Sequence, residues 1–317
     1  MRVARLHGIR DLRVEELASL EPAAGELLVR IEACGICPTD VRKYLIGVND
    51  GDYPFNPGHE WLGRVEAVGP GVVGWAPGAR VYGDTYGGYA ELAALPVEPG
   101  PWSRGPLALP DDVPADRAVF VEPLADCLHA VYDQARIAPG DDVVVVGGGQ
   151  MGLQLVLAAS LAGARVLCVE PLGDRRELAH VLGAADAVDP SEWTPAGEAA
   201  AVILSIGTPS LVDGCVRAAR PGGRVVLFAG FGDEGHAPVD LNALHYREVA
   251  LVGSEWIGTP PNQKRERYEE ALALLVSEHA PLERLVTARC GFTGLAGAFE
   301  DQKARRGLKT ILVPSAP

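Results

Sequence analysis

The chain has 317 residues, 48% of them apolar and 22% charged, with Lys+Arg 28 against Asp+Glu 42 and a formal net charge of −14. That composition excludes wholesale disorder, and the acidic balance argues against nucleic acid or an anionic membrane as partner. No apolar run approaches the roughly 18 residues of a membrane span, and the opening MRVARLHGIRDL holds no signal core, so a cytoplasmic protein is expected. Residues 1–122 carry short apolar alternations punctuated by Gly and Pro (ELLVRIEA, GRVEAVG, ARVYGD, YAELAAL), the pattern of a β-rich domain. Within it, Thr39 and Asp40 are expected to cap a helix over VRKYLIG that Gly47 ends. Residues 123–257 change character. DDVVVVGGGQMGLQLVLAASLAGARVLCVEP reads as strand, glycine turn, helix and strand, and RRELAHVLGA as a further helix. AAVILSIG, GRVVLFAG and EVALVGS are short apolar runs with little alternation, which suits strands of a parallel sheet covered on both faces. Residues 258–317 add an amphipathic helix, QKRERYEEALALLVSEHA, and a closing strand, GLKTILVP. The fold class is α/β, with a doubly wound domain between two parts of a β-rich one.

Gly147, Gly149 and Gly152 form G-x-G-x-x-G after VVVV and at the opening of a helix. The first glycine permits a tight turn, the second admits a pyrophosphate to the backbone, and the third packs helix on strand. Gln150 and Met151 open the helix whose free N–H groups would face the phosphates. Glu170 ends the next strand, where a carboxylate accepts both ribose hydroxyls and repels a 2′-phosphate, so NAD is expected over NADP.

Six cysteines are scattered through the chain, which suits reduced thiols or a metal ligand rather than a disulfide framework. Cys37 in CGICPTD, His59 and Glu60 in GHE, and Glu122 in VEPLADC offer thiolate, imidazole and carboxylate, the donors of a catalytic zinc with one open position. Asp40 can receive the other ring N–H of His59.

These residues resemble the zinc-containing medium-chain alcohol dehydrogenases. Gly58, His59, Glu60, Gly63, Gly69 and Val72 fit that family's signature G-H-E-x2-G-x5-G-x2-V, and the likeness runs on through GGYAEL, EPLADCLHAV, NALHYREVALVGS and GLKTILVP. Glu122 in EPLA resembles the sorbitol (polyol) and threonine dehydrogenase branch. The resemblance implies a chaperonin-like catalytic domain (1–122 and 258–317) with an inserted Rossmann domain (123–257). It implies one zinc held by Cys37, His59 and Glu60 or Glu122, Thr39 as the hydroxyl that relays the alcohol proton, and Lys309 near the pyrophosphate. Arg42 stands where many members have a proton-passing histidine. The four-cysteine structural zinc lobe of relatives is missing, because only YGDTY separates Val81 from Gly87.

The expected activity is zinc-dependent hydride transfer between NAD and a secondary alcohol or ketone, on a polyol, sugar, cyclitol or amino-cyclitol, by a homodimer or homotetramer. Arg42, Glu255 and Trp256 are the candidate substrate contacts; an acid at 255 can receive a hydroxyl or an amine. The rivals are a zinc-independent double-bond reductase of the same fold and a non-enzymatic dinucleotide-binding protein.

Overall fold

The computed structural model describes residues 1–48, 53–100, 103–232, 235–256, 258–277 and 279–316. Ile257, the expected end of the Rossmann segment, and Glu278 of the expected last helix lie outside the described residues. The chain divides into two compact units, Met1–Glu122 with Pro260–Pro317, and Pro123–Thr259.

The first unit opens with the antiparallel pair β1 (Arg2–Gly8) and β2 (Asp11–Glu16). Then come β3 (Glu26–Gly35), α1 (Pro38–Ile46), β4 (Glu60–Val68), β5 (Arg80–Gly83), β6 (Leu92–Pro96), β7 (Leu107–Ala108) and α2 (Ala115–Ala118). α3 (Val121–Leu128) follows and runs on as a π-helical segment, His129–Ala135. The second unit contains β8 (Asp142–Val146), α4 (Gln150–Leu161), β9 (Arg165–Val169), α5 (Gly173–Val181), β10 (Asp186–Val188), β11 (Ala199–Leu204), α6 (Val212–Ala218), β12 (Ala219–Leu227), α7 (Leu241–Arg247) and β13 (Ala250–Gly253). The chain returns to the first unit with α8 (Pro261–Val276), β14 (Val286–Cys290), α9 (Leu295–Lys303) and β15 (Lys309–Leu312).

In the first unit a seven-stranded sheet runs β14-β15-β3-β4-β5-β7, with β6 also on β3. β3 is its centre because Leu27, Val29 and Ile31 alternate onto the core with Trp61, Val65, Tyr89 and Phe299. Register then places the chemistry. Gly35, the last residue of β3, pairs with Glu60 on β4 and with Ile311 on β15. A side chain at Gly35 would collide with the Glu60 carboxylate and the Lys309 stem, so the glycine leaves the room in which those two meet.

In the second unit six parallel strands run β10-β9-β8-β11-β12-β13. The lack of alternation noted in AAVILSIG has its cause here, since all of β11 is buried. Counted within the unit, that is the strand order 3-2-1-4-5-6, and its reversal falls between β8 and β11. Gly147 follows the carboxyl end of β8 and Ser205 that of β11, at the point where such sheets bind dinucleotides. Among the described residues no helix is long and apolar enough to cross a membrane.

Candidate active site

Cys37 is the N-cap of α1, with extended backbone and Pro38 at the first helical position. Its sulfur accepts the Thr39 N–H at 3.4 Å. The capping expected of Thr39 and Asp40 is therefore corrected: the thiol caps the helix, Asp40 is wholly buried and turned inward, and the Thr39 side chain is exposed. Burial pushes the Cys37 thiol up to about 11, with the Glu60 charge adding to the rise.

Asp40 is engaged on three sides. One oxygen accepts the Gly58 N–H at 3.1 Å; the other accepts the Tyr89 hydroxyl at 3.0 Å and lies 3.3 Å from His59 Nδ1. Burial alone would raise this carboxyl, but the His59 charge and these donors outweigh it and hold it below its usual range. The His59 contact is close enough for charge pairing yet not aligned as a hydrogen bond, so Nδ1 is a buried atom without such a partner. Burial disfavours the charged ring, but Asp40 and Cys37 prevail and draw His59 well above its ordinary range.

Among the described residues, Cys37, His59 and Glu60 form the single group of three or more metal-type donors, with one ligand atom from each lying within 4.8 Å of the others. Glu60 is fully buried; its Oε2 is bonded to the Lys309 ammonium, while Oε1 has no hydrogen-bond partner. Buried carboxylate oxygens are ordinarily satisfied, and a cation between thiolate, ring and carboxylate would satisfy this one. A sulfur, nitrogen and oxygen donor set suits zinc, so the residues fit the metal. Glu122 stands near the start of α3, its N–H donating to the Tyr82 hydroxyl at 3.2 Å. It is outside the close group, yet near enough for its charge to act on Cys37 and Lys309. Lys309, expected near a pyrophosphate, is fully buried in the first unit against Glu60, with its ammonium 5.6 Å from the Phe120 ring centroid.

In the second unit the glycine turn opens α4 with Gly149 at the N-cap and no side-chain cap. The first-turn N–H groups are thus available to an anion. A Cβ at Gly149 would meet nothing, whereas one at Gly152 would strike the Gly147 carbonyl. Glu170 is 4% exposed and already positioned: it accepts Gly148 N–H at 2.6 Å and Leu172 N–H at 3.1 Å. A Cβ at Gly148 would lie 2.8 Å from Glu170 Cγ, so the middle glycine matters as well, which the spacing rule does not reveal. Gln150 is buried with neither side-chain amide atom hydrogen-bonded, an orphaned group at the mouth of this turn. Met151 accepts the Cys127 thiol on its carbonyl.

The remaining candidates separate. Arg42 is exposed on α1. The Glu255 carboxylate accepts the Trp256 N–H at 3.0 Å. Trp256 is buried within the second unit, stacked on His129 at 4.4 Å with its indole N–H on Asp126. His129 in turn pairs with Asp133 at 2.9 Å on the π-helical segment. Sequence reasoning missed Tyr86, whose ring stands edge-on to His59 at 5.1 Å; a tyrosine in the loop between β5 and β6 carries no periodic signal.

Residues 23–98 match the family model of the alcohol dehydrogenase GroES-like domain, and residues 149–277 that of zinc-binding dehydrogenases. The chain is 30% identical to the sorbitol dehydrogenase of Gallus gallus, over 97% of this chain and 94% of that one. It is 26% identical to the galactitol 1-phosphate 5-dehydrogenase of Escherichia coli (strain K12), over 91% and 92%. A crystal structure of a zinc-binding dehydrogenase from Sinorhizobium meliloti 1021 bound to NADP matches with a TM-score of 0.88 at 28% identity, covering 99% of both chains. With the donor cluster on one unit and the dinucleotide-type sheet on the other, the chain belongs to the zinc-type medium-chain alcohol dehydrogenases, nicotinamide-dependent oxidoreductases of small alcohols.

Proposed function

We propose that the chain oxidises a secondary alcohol on a polyol, sugar, cyclitol or amino-cyclitol with NAD, and reduces the ketone in reverse. The observation that carries the reading is the buried meeting of Cys37, His59 and Glu60 donors beside an exposed Thr39. Cys37, His59 and Glu60 or Glu122 would hold the zinc, which when bound would supply Lewis-acid polarisation of the alcohol oxygen, and a bound nicotinamide would supply the hydride acceptor. Thr39 Oγ1 takes the proton of the substrate hydroxyl. In taking that proton Thr39 gives up its own hydroxyl proton, and because it is exposed it hands it to solvent. Asp40 faces the Nδ1 side of His59 as a charge partner at 3.3 Å, which would leave Nε2 for the metal. Lys309 pairs with the Glu60 carboxylate where neither side chain has exposed surface, and so offsets the cost of burying that charge.

NAD is favoured by Glu170, fixed by two backbone N–H groups where it would face a ribose and repel a 2′-phosphate. The Sinorhizobium meliloti relative holds NADP, which makes this the part of the reading to measure first. Polyol substrates are supported by the sorbitol and galactitol 1-phosphate dehydrogenases among the relatives. A homodimer or homotetramer is supported by β13, an edge strand with Leu251 exposed, and by Tyr246, 79% exposed on α7.

The test is a screen of polyols, cyclitols and amino-cyclitols for reduction of NAD and NADP, with and without a chelator. Chelator-sensitive oxidation with NAD preferred is the expected result. Turnover that survives metal removal would remove the zinc mechanism, and a preference for NADP would remove the Glu170 argument.

A further inference from the structure

We infer that the alcohol substrate carries a carboxylate or phosphate, received by Lys43 where Phe55 and Tyr86 hold it beside the metal-type ligand His59. This rests on the dehydrogenase reading above and adds the charge class of the substrate to it.

The subsite is built by the short loop after β5. The Trp61 indole N–H donates to the Thr85 carbonyl at 2.7 Å and anchors that loop. The next residue, Tyr86, is thereby set with its ring 5.1 Å from His59 and 5.0 Å from Phe55. Lys43 reaches over this aromatic pair from α1, its ammonium 5.3 Å from the Tyr86 centroid and 5.5 Å from that of Phe55. The cation is therefore one ring away from His59.

Ring faces attract an ammonium but do not accept its three hydrogen bonds in the way oxygens do. Among the described residues no carboxylate pairs with Lys43, although acids outnumber bases 42 to 28 in the chain. Of the described acids, Asp40 is engaged with Gly58, Tyr89 and His59, and Glu60 with Lys309. Arg42, the neighbouring residue, is exposed and likewise has no described carboxylate partner. Thr39, Arg42 and Lys43 stand at i, i+3 and i+4 of α1 and so share a face. The proton-accepting hydroxyl and two cations without a described carboxylate partner are thus one helical turn apart. The class that matches is a short polyol or hydroxy acid with an anionic group a few bonds from the reacting hydroxyl. A lysine in the last turn of a helix also favours the helix end, but that effect does not distinguish one substrate from another.

The experiment compares kcat/KM for three alcohols of one carbon length: a neutral polyol, the corresponding aldonate and the corresponding polyol phosphate. At least one anionic member should exceed the neutral one by about tenfold or more, the scale of one charge-assisted hydrogen bond. The aldonate and phosphate arms show which anion is preferred. Lys43→Gln should lower the anionic-to-neutral ratio by about tenfold, mainly through KM, and Lys43→Arg should restore much of it. Turnover of the neutral polyol with no gain for either anion overturns this inference and leaves the dehydrogenase reading standing. So does a Lys43→Gln variant that loses activity on all three alike. No turnover of any alcohol overturns both.

Discussion

Lys309 and Glu60 stand 249 residues apart in sequence and form an ion pair in which neither side chain has exposed surface. A pair so desolvated is tolerated because each charge cancels the other; alone, either would be costly.

Lys309→Met should therefore destabilise the protein by about 3–5 kcal/mol, the cost of a buried charge left without its partner. The double variant Glu60→Gln/Lys309→Met should recover a large part of that loss. Denaturant titration of the two singles and the double checks it. Strictly additive losses would mean that the pair acts only through packing.

The dinucleotide turn makes a second prediction. Gly148→Ala places a Cβ 2.8 Å from Glu170 Cγ and must displace that carboxylate. Binding of NADH should weaken about ten- to a hundredfold, as for the loss of charge-assisted hydrogen bonds. Glu170→Ala should weaken NADH similarly and narrow the gap to NADPH. Zinc content should be unchanged in both. Fluorescence titration with each nucleotide reads the result; equal affinity of wild type and Gly148→Ala for NADH would show that Glu170 does not hold the ribose.

A third prediction concerns metal count. One group of close donors among the described residues implies about one zinc per chain, with Cys37→Ser reducing it to near zero. Glu60→Gln and Glu122→Gln, compared for retained zinc, identify the carboxylate ligand by which variant loses it. Metal analysis after purification without chelator decides. A firm value near two would mean that a second site exists outside the cluster at Cys37.

The parallel sheet was legible because its strands are apolar without alternation and its glycines sit between strand and helix, patterns that need no tertiary knowledge. The donor types at Cys37, His59 and Glu60 were readable from two short motifs. Their convergence depends on β3–β4 register and on the cap of α1, which sits at Cys37 ahead of the expected Thr39 and Asp40: a thiol takes the role expected of a hydroxyl or carboxylate. The position of Lys309 depends on β15 pairing with β3 across the whole inserted unit, a non-local choice that local sequence does not encode. Trp256 looked available because it follows a strand, but an indole that finds an acid and a flat imidazole turns inward. Lys43 and Tyr86 carry no spacing signal at all; only the loop anchored by Trp61 brings them together.

The place of β15 also bears on biosynthesis. Pro123–Thr259 is one continuous stretch whose parallel sheet can close as soon as it leaves the ribosome. The first unit cannot do the same, because the strand that supplies Lys309 is made long after Glu60. Until then the nascent β3 edge lacks its neighbour and the Glu60 carboxylate has no counterion to enter the interior with. The metal-type donors are therefore assembled late, and a chain interrupted before residue 309 would have the parallel sheet ready to form while the sheet that carries Glu60 is not.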